Sequence, residues 1–114
     1  MAKAYTDLEQ SKKLAEILLI ESADMCYRTY REKGGIPDYQ VTLCPYKLAS
    51  WVGVPCWSLA ALLRELPDTM LGKDKDGYVV MVETMGSGLT AFASNPIDAC
   101  YDMILKLHEQ KKLL

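Results

Sequence analysis

Cys56 is the side chain best placed for reactivity, because it follows Pro55, a residue suited to a helix start, and precedes the run Leu59, Leu62, Leu63 and Leu66. A thiol in the first turn of a helix faces unpaired backbone amides, which stabilise its thiolate and lower its pKa. Nucleophilic use would also need a base. The only histidine is His108, near the end of the C-terminal helix, and the neighbours of Cys56 are apolar. The competing reading is a small packed side chain. Trp51 and Trp57 bracket Val52-Gly53-Val54-Pro55-Cys56. Trp51, Cys56 and Trp57 therefore form a candidate small-molecule pocket or partner groove, against the commoner use of tryptophan as a core plug. A second candidate is Tyr27-Arg28-Thr29-Tyr30-Arg31, which mixes aromatic and basic groups. Tyr27, Arg28, Tyr30 and Arg31 suit stacking and phosphate contact with single-stranded nucleic acid. Their ordinary role would be a solubilising strand face.

Other patterns fall short of a site. Cys26, Cys44, Cys56 and Cys100 are widely spaced with no Cys-x-x-Cys pair, so neither a zinc site nor a secreted disulfide framework is expected. Reduced, partly buried thiols are. Asp74, Asp76, Gly77 and Glu83 match four positions of a calcium loop, but Gly72 stands at the first ligand position and strand-forming residues follow Gly77. A hairpin turn at Asp76-Gly77 uses the same residues. Met85-Gly86-Ser87-Gly88 lacks the Lys-Ser/Thr end of a phosphate loop and leads into another apolar strand. No cofactor, metal or catalytic constellation is expected, and the chain reads as non-enzymatic.

The elements that would position these residues can be read from periodicity. Thr6-Asp7-Leu8-Glu9 has capping-box spacing, and Leu8, Ser11, Leu14, Ala15, Ile17 and Leu18 recur at helical intervals, which predicts a helix from about Asp7 to Leu19. Alternation from Asp24 to Arg31 predicts a strand, and Gly34 to Asp38 a turn leading to a second strand, Tyr39 to Leu43. Irregular chain is expected to Val54, then a helix from Pro55 that is the most buried of the three. A three-stranded meander follows through Met70-Leu71, Tyr78–Glu83 and Leu89–Phe92. Asn95-Pro96-Ile97-Asp98 then combines an N-cap residue, a preset φ and an acid at the positive helix end. The resulting order is αββαβββα, a single α+β domain spanning 1–114 with a mainly antiparallel sheet packed against helices.

Composition sets the outer bounds. Half of the 114 residues are hydrophobic, enough for a core without metal or disulfide. Lys and Arg number 13 against 15 Asp and Glu, a net charge of -2, which disfavours whole-surface binding to nucleic acid or acidic membrane. No apolar stretch is long enough to span a bilayer and no secretory leader opens the chain, so a cytoplasmic location is expected.

Three segments carry a resemblance: Ser11 to Leu18 with Glu21 to Met25, Pro55 to Leu63, and Asn95 to Glu109. Together they resemble small uncharacterised proteins encoded by prophages and mobile elements of gut anaerobes. The likeness covers most of the chain and departs most over 30–51 and 72–88. No activity attaches to that group, so no functional residues carry over. The resemblance implies a setting, a prophage or mobile-element accessory protein. The expectation is a binding module with a protein partner, with a small-molecule binder or enzyme at Trp51, Cys56 and Trp57, or a single-strand nucleic-acid binder at Tyr27 to Arg31, as alternatives.

Overall fold

Helix- and strand-forming segments alternate along the chain as α1 (Leu8–Ala15), a 3-10 turn (Ile20–Ser22), β1 (Met25–Arg31), β2 (Pro37–Leu43), β3 (Gly53–Cys56), α2 (Leu59–Glu65), β4 (Thr69–Asp74), β5 (Gly77–Thr84), β6 (Ser87–Ala93) and α3 (Pro96–Glu109). The computed structural model describes residues 3–31, 37–43, 53–84 and 87–110, with side chains described outside 28–53 and 84–87. The fold is α+β with antiparallel sheets packed against helices. It contains the expected order, with one further strand, β3, ahead of α2. The chain forms two compact units, Thr6–Ser58 and Leu59–Leu114 with Met1–Tyr5.

In the unit Thr6–Ser58, the sheet order is β2-β1-β3, so β1 is central. α1 packs on β3. The helix cap sits one residue later than the Thr6/Glu9 spacing suggested. Asp7 accepts from the Gln10 amide at 2.8 Å, and the Gln10 side chain accepts from the Asp7 amide at 3.0 Å. The physical reason is that the Thr6 hydroxyl is engaged elsewhere, accepting from the Trp57 amide at 3.2 Å. α1 also ends at Ala15 rather than Leu19, because i to i+3 bonds from the Glu16 and Ile17 amides tighten its last turn.

A larger correction concerns Pro55. It opens no helix; β3 runs antiparallel to β1, with Met25 opposite Cys56 and Cys26 opposite Pro55. β3 is an edge strand, where the missing proline amide hydrogen costs no interior ladder bond. α2 starts only at Leu59, after Asp24 accepts hydrogen bonds from the Ser58 amide at 3.0 Å and from the Ser58 hydroxyl.

In the second unit, β4, β5 and β6 form the meander in that order. α3 lies across β5 and β6 and also packs on α2. Its start is as the sequence indicates: Asn95 caps it by accepting from the Asp98 amide at 2.9 Å, and Pro96 occupies the first turn. Asp98 also pairs with Lys3 at 2.8 Å. Ile97, Cys100, Met103, Ile104 and Leu107 are completely buried, whereas α2 buries only Ala61 and Leu62. α3, not α2, is therefore the more buried helix, since it packs across β5 and β6.

Candidate interaction surface

The β4–β6 meander has two faces of opposite character. Strand alternation sends Val80, Val82 and Ala91 into the core beneath α3, all nearly free of solvent contact. The intervening residues form the outer face, and the register arranges them in cross-strand rows. One row is Gly72, Val79 and Phe92; the next is Met70, Met81 and Thr90. Met70, Met81 and Phe92 keep 67%, 42% and 51% of their surface exposed. Next along the face comes Glu83, paired with Gly88, and Asp68 precedes β4 at the same end.

This end of the face is concave. A pocket of about 420 Å³ is lined by Asp68, Met70, Met81, Glu83, Gly88 and Leu89, among others. Gly88 contributes to the hollow: a Cβ added there would meet only the Val82 carbonyl oxygen, at 4.0 Å. The lining is apolar at its floor and carries two carboxylates with no basic residue. Beside it, the Lys106 ammonium donates to the Thr90 carbonyl at 2.6 Å and occupies part of the outer edge of β6.

The residues singled out from the sequence lie elsewhere. Cys56 and Trp57 are both completely buried. The Cys56 thiol donates to the Thr6 carbonyl at 3.4 Å and receives the Thr6 hydroxyl at 3.6 Å. Burial pushes its pKa up, as does Asp24, against hydrogen bonds from Thr6 and Ser11. The helix-start argument for a lowered pKa is therefore overturned, because Cys56 belongs to a strand. The Trp57 indole donates to the Ser22 hydroxyl at 2.9 Å. Trp51 lies outside the described residues.

Tyr27, Arg28, Tyr30 and Arg31 share the central strand β1. The Tyr27 hydroxyl donates to the Thr6 carbonyl at 2.9 Å. The side chains of Arg28, Tyr30 and Arg31 lie outside the described residues. Asp74 and Asp76, the calcium-loop candidates, close the β4–β5 hairpin: the Asp74 carboxylate accepts from the Asp76 amide at 2.8 Å and the Gly77 amide at 3.0 Å. Cys26 is disulfide-bonded, which corrects the expectation of four reduced thiols; Cys56 and Cys100 are free and buried. Burial drives the Cys100 thiol up to about 11.

Met70, Met81 and Phe92 carry no site signal by residue type, and Glu83 enters the sequence reading only as a calcium-loop position. A signal existed in the alternation of Tyr78 to Glu83, where Val79 and Met81 are apolar on the face opposite Val80 and Val82. A strand that is apolar on both sides announces a second covered face. Among the described residues, no helix is long and apolar enough to cross a membrane. No family model, curated protein or solved structure matches the chain.

Proposed function

We propose that this protein is a non-enzymatic interaction module that binds a protein partner through the outer face of the β4–β6 sheet. The observation that supports this reading is the contiguous exposure of Met70, Met81 and Phe92 beside a pocket of about 420 Å³. Scattered exposed apolar side chains are ordinary, but a cross-strand cluster beside a hollow is the pattern of a binding surface. Methionine suits such a surface because its flexible, polarisable side chain adapts to a partner. The other face of the same sheet buries its apolar residues under α3, so the outer face has an equivalent demand.

The prophage or mobile-element setting belongs to the same proposal and rests on the resemblance. A cytoplasmic location would require the Cys26 disulfide to be reduced there or to be transient, since persistent disulfides belong to oxidising compartments.

The test is a pull-down from host lysate with wild type and with the double variant Met70→Asp, Met81→Asp, both checked for folding by circular dichroism. A specific partner retained by the wild type and lost by the variant is expected. Equal retention by both proteins, or no specific partner at all, would count against the reading.

A further inference from the structure

The outer face is graded along the strands. Its apolar row of Val79 and Phe92 gives way to Met70 and Met81, then to Glu83, with Asp68 lining the same pocket. Asp68 and Glu83 are both exposed, and neither forms an ion pair among the described residues. Both line the same pocket, so a cation placed in it is attracted by two negative charges at once. The whole chain leans the same way, with a net charge of -2. Charge complementarity therefore favours a basic partner at this end and an apolar one beside it.

Geometry narrows the form of that partner. The pocket is lined by residues of β4, β5 and β6 together, so it opens on the face of the sheet and its occupant lies over the strands rather than extending a ladder at an edge. The face itself is open and hollowed at Gly88. Successive rows on one face are two residues apart, about 6.8 Å. One turn of helix, from i to i+4, rises about 6 Å. A helix laid along β5 can thus set an apolar side chain over the methionine row and a lysine or arginine, one turn on, over the carboxylates.

Resting on the reading proposed above, we infer that the occupant of this face is a basic amphipathic helix of a partner protein. Its apolar side chain seats in the hollow over Gly88 beside Met70 and Met81, and its cation sits between Asp68 and Glu83. The carboxylates are exposed, so they set the choice of partner more than the strength of binding.

The experiment is fluorescence anisotropy with a labelled Leu/Lys amphipathic peptide of about 15 residues, long enough to form a helix, and its counterpart with every Lys replaced by Gln. Four proteins are compared, each checked by thermal melting: wild type, Glu83→Lys, Gly88→Leu, and Glu109→Lys as a charge control at the end of α3. Wild type is expected to prefer the Lys peptide by roughly fivefold. Glu83→Lys should abolish the preference and Glu109→Lys preserve it, while Gly88→Leu, which fills the hollow, should weaken both peptides. If the Gln peptide binds as well as the Lys peptide and Gly88→Leu still weakens both, the basic assignment is overturned and the docking face survives. Binding that ignores Gly88→Leu, or that Glu109→Lys reduces as much as Glu83→Lys, overturns the face as well. Absence of binding by either peptide overturns the basic-helix assignment, and the pull-down then decides the interaction reading separately. Self-association in sedimentation that Gly88→Leu abolishes identifies a second copy of the chain as the occupant and equally overturns the inference.

Discussion

Thr6 gathers more contacts than its small side chain suggests. It is completely buried, its hydroxyl lies 2.7 Å from the Ser11 hydroxyl and accepts from the Trp57 amide, and its own amide donates to the Trp57 carbonyl at 3.0 Å. Its carbonyl accepts from Tyr27 and from the Cys56 thiol. A buried polar group is tolerated when its partners are all present, and removing one partner strands the rest. Thr6→Val, close in shape, should therefore destabilise the protein by about 1–3 kcal/mol, because it leaves the Trp57 amide and the Ser11 hydroxyl short of a partner. Thr6→Ser keeps the hydroxyl and should cost only about 0.8 kcal/mol, the loss of one methyl. Urea unfolding midpoints measure both, and equal losses would mean that packing, not hydrogen bonding, is what Thr6 supplies. The same contacts account for Cys56: with its thiol enclosed and its pKa raised, it is held as a packed, protonated side chain. Sequence spacing could identify Thr6 as a residue able to cap a helix, but its engagement with Trp57, far along the chain, is tertiary and leaves no local trace.

The elements divide by how local their determinants are. α3 was legible to the residue at its start because Asn95, Pro96 and Asp98 encode its cap within four positions. The β1–β2 and β4–β6 hairpins were legible because alternation and turn residues sit side by side in the chain. β3 was not: Val54-Pro55-Cys56 has no local strand signature, and its ladder comes entirely from β1, in which Met25 to Arg28 pair with it. The Pro55 that looks like a helix start is accommodated because β3 is an edge. At Gly77 the turn chemistry and the tertiary demand coincide. A Cβ there would stand 2.4 Å from the Ala93 carbonyl oxygen, a backbone atom that cannot swing aside. Gly77→Ala should therefore lower stability by roughly 1–3 kcal/mol, the usual cost of overpacking, although alanine is no larger than one methyl. A thermal melt unchanged from wild type would mean that β6 shifts freely away from the turn.

On the scale of the whole molecule, each compact unit carries one three-stranded antiparallel sheet, and the two sheets use their faces differently. The β2-β1-β3 sheet carries the tyrosine-arginine strand at its centre and the Cys56-Trp57 step at its edge, the residues that the sequence brings forward by type. The β4-β5-β6 sheet carries no reactive residue types on its outer face, and its exposed cluster exists only because the hairpin register stacks Met70 on Met81 and Val79 on Phe92. Cross-strand adjacency is set by register, so a surface of this kind escapes a reading by motif. Methionines lie on both sheets and inside α3, which makes them natural reporters: Met25 on β1, Met70 and Met81 on the outer face, Met103 in the core. The most direct test is methionine methyl NMR of the labelled protein titrated with the Leu/Lys peptide. Saturable shifts at the Met70 and Met81 methyls, with Met25 and Met103 unmoved, are predicted. Shifts centred on Met25, with Met70 and Met81 silent, would contradict the assignment of binding to the β4–β6 face.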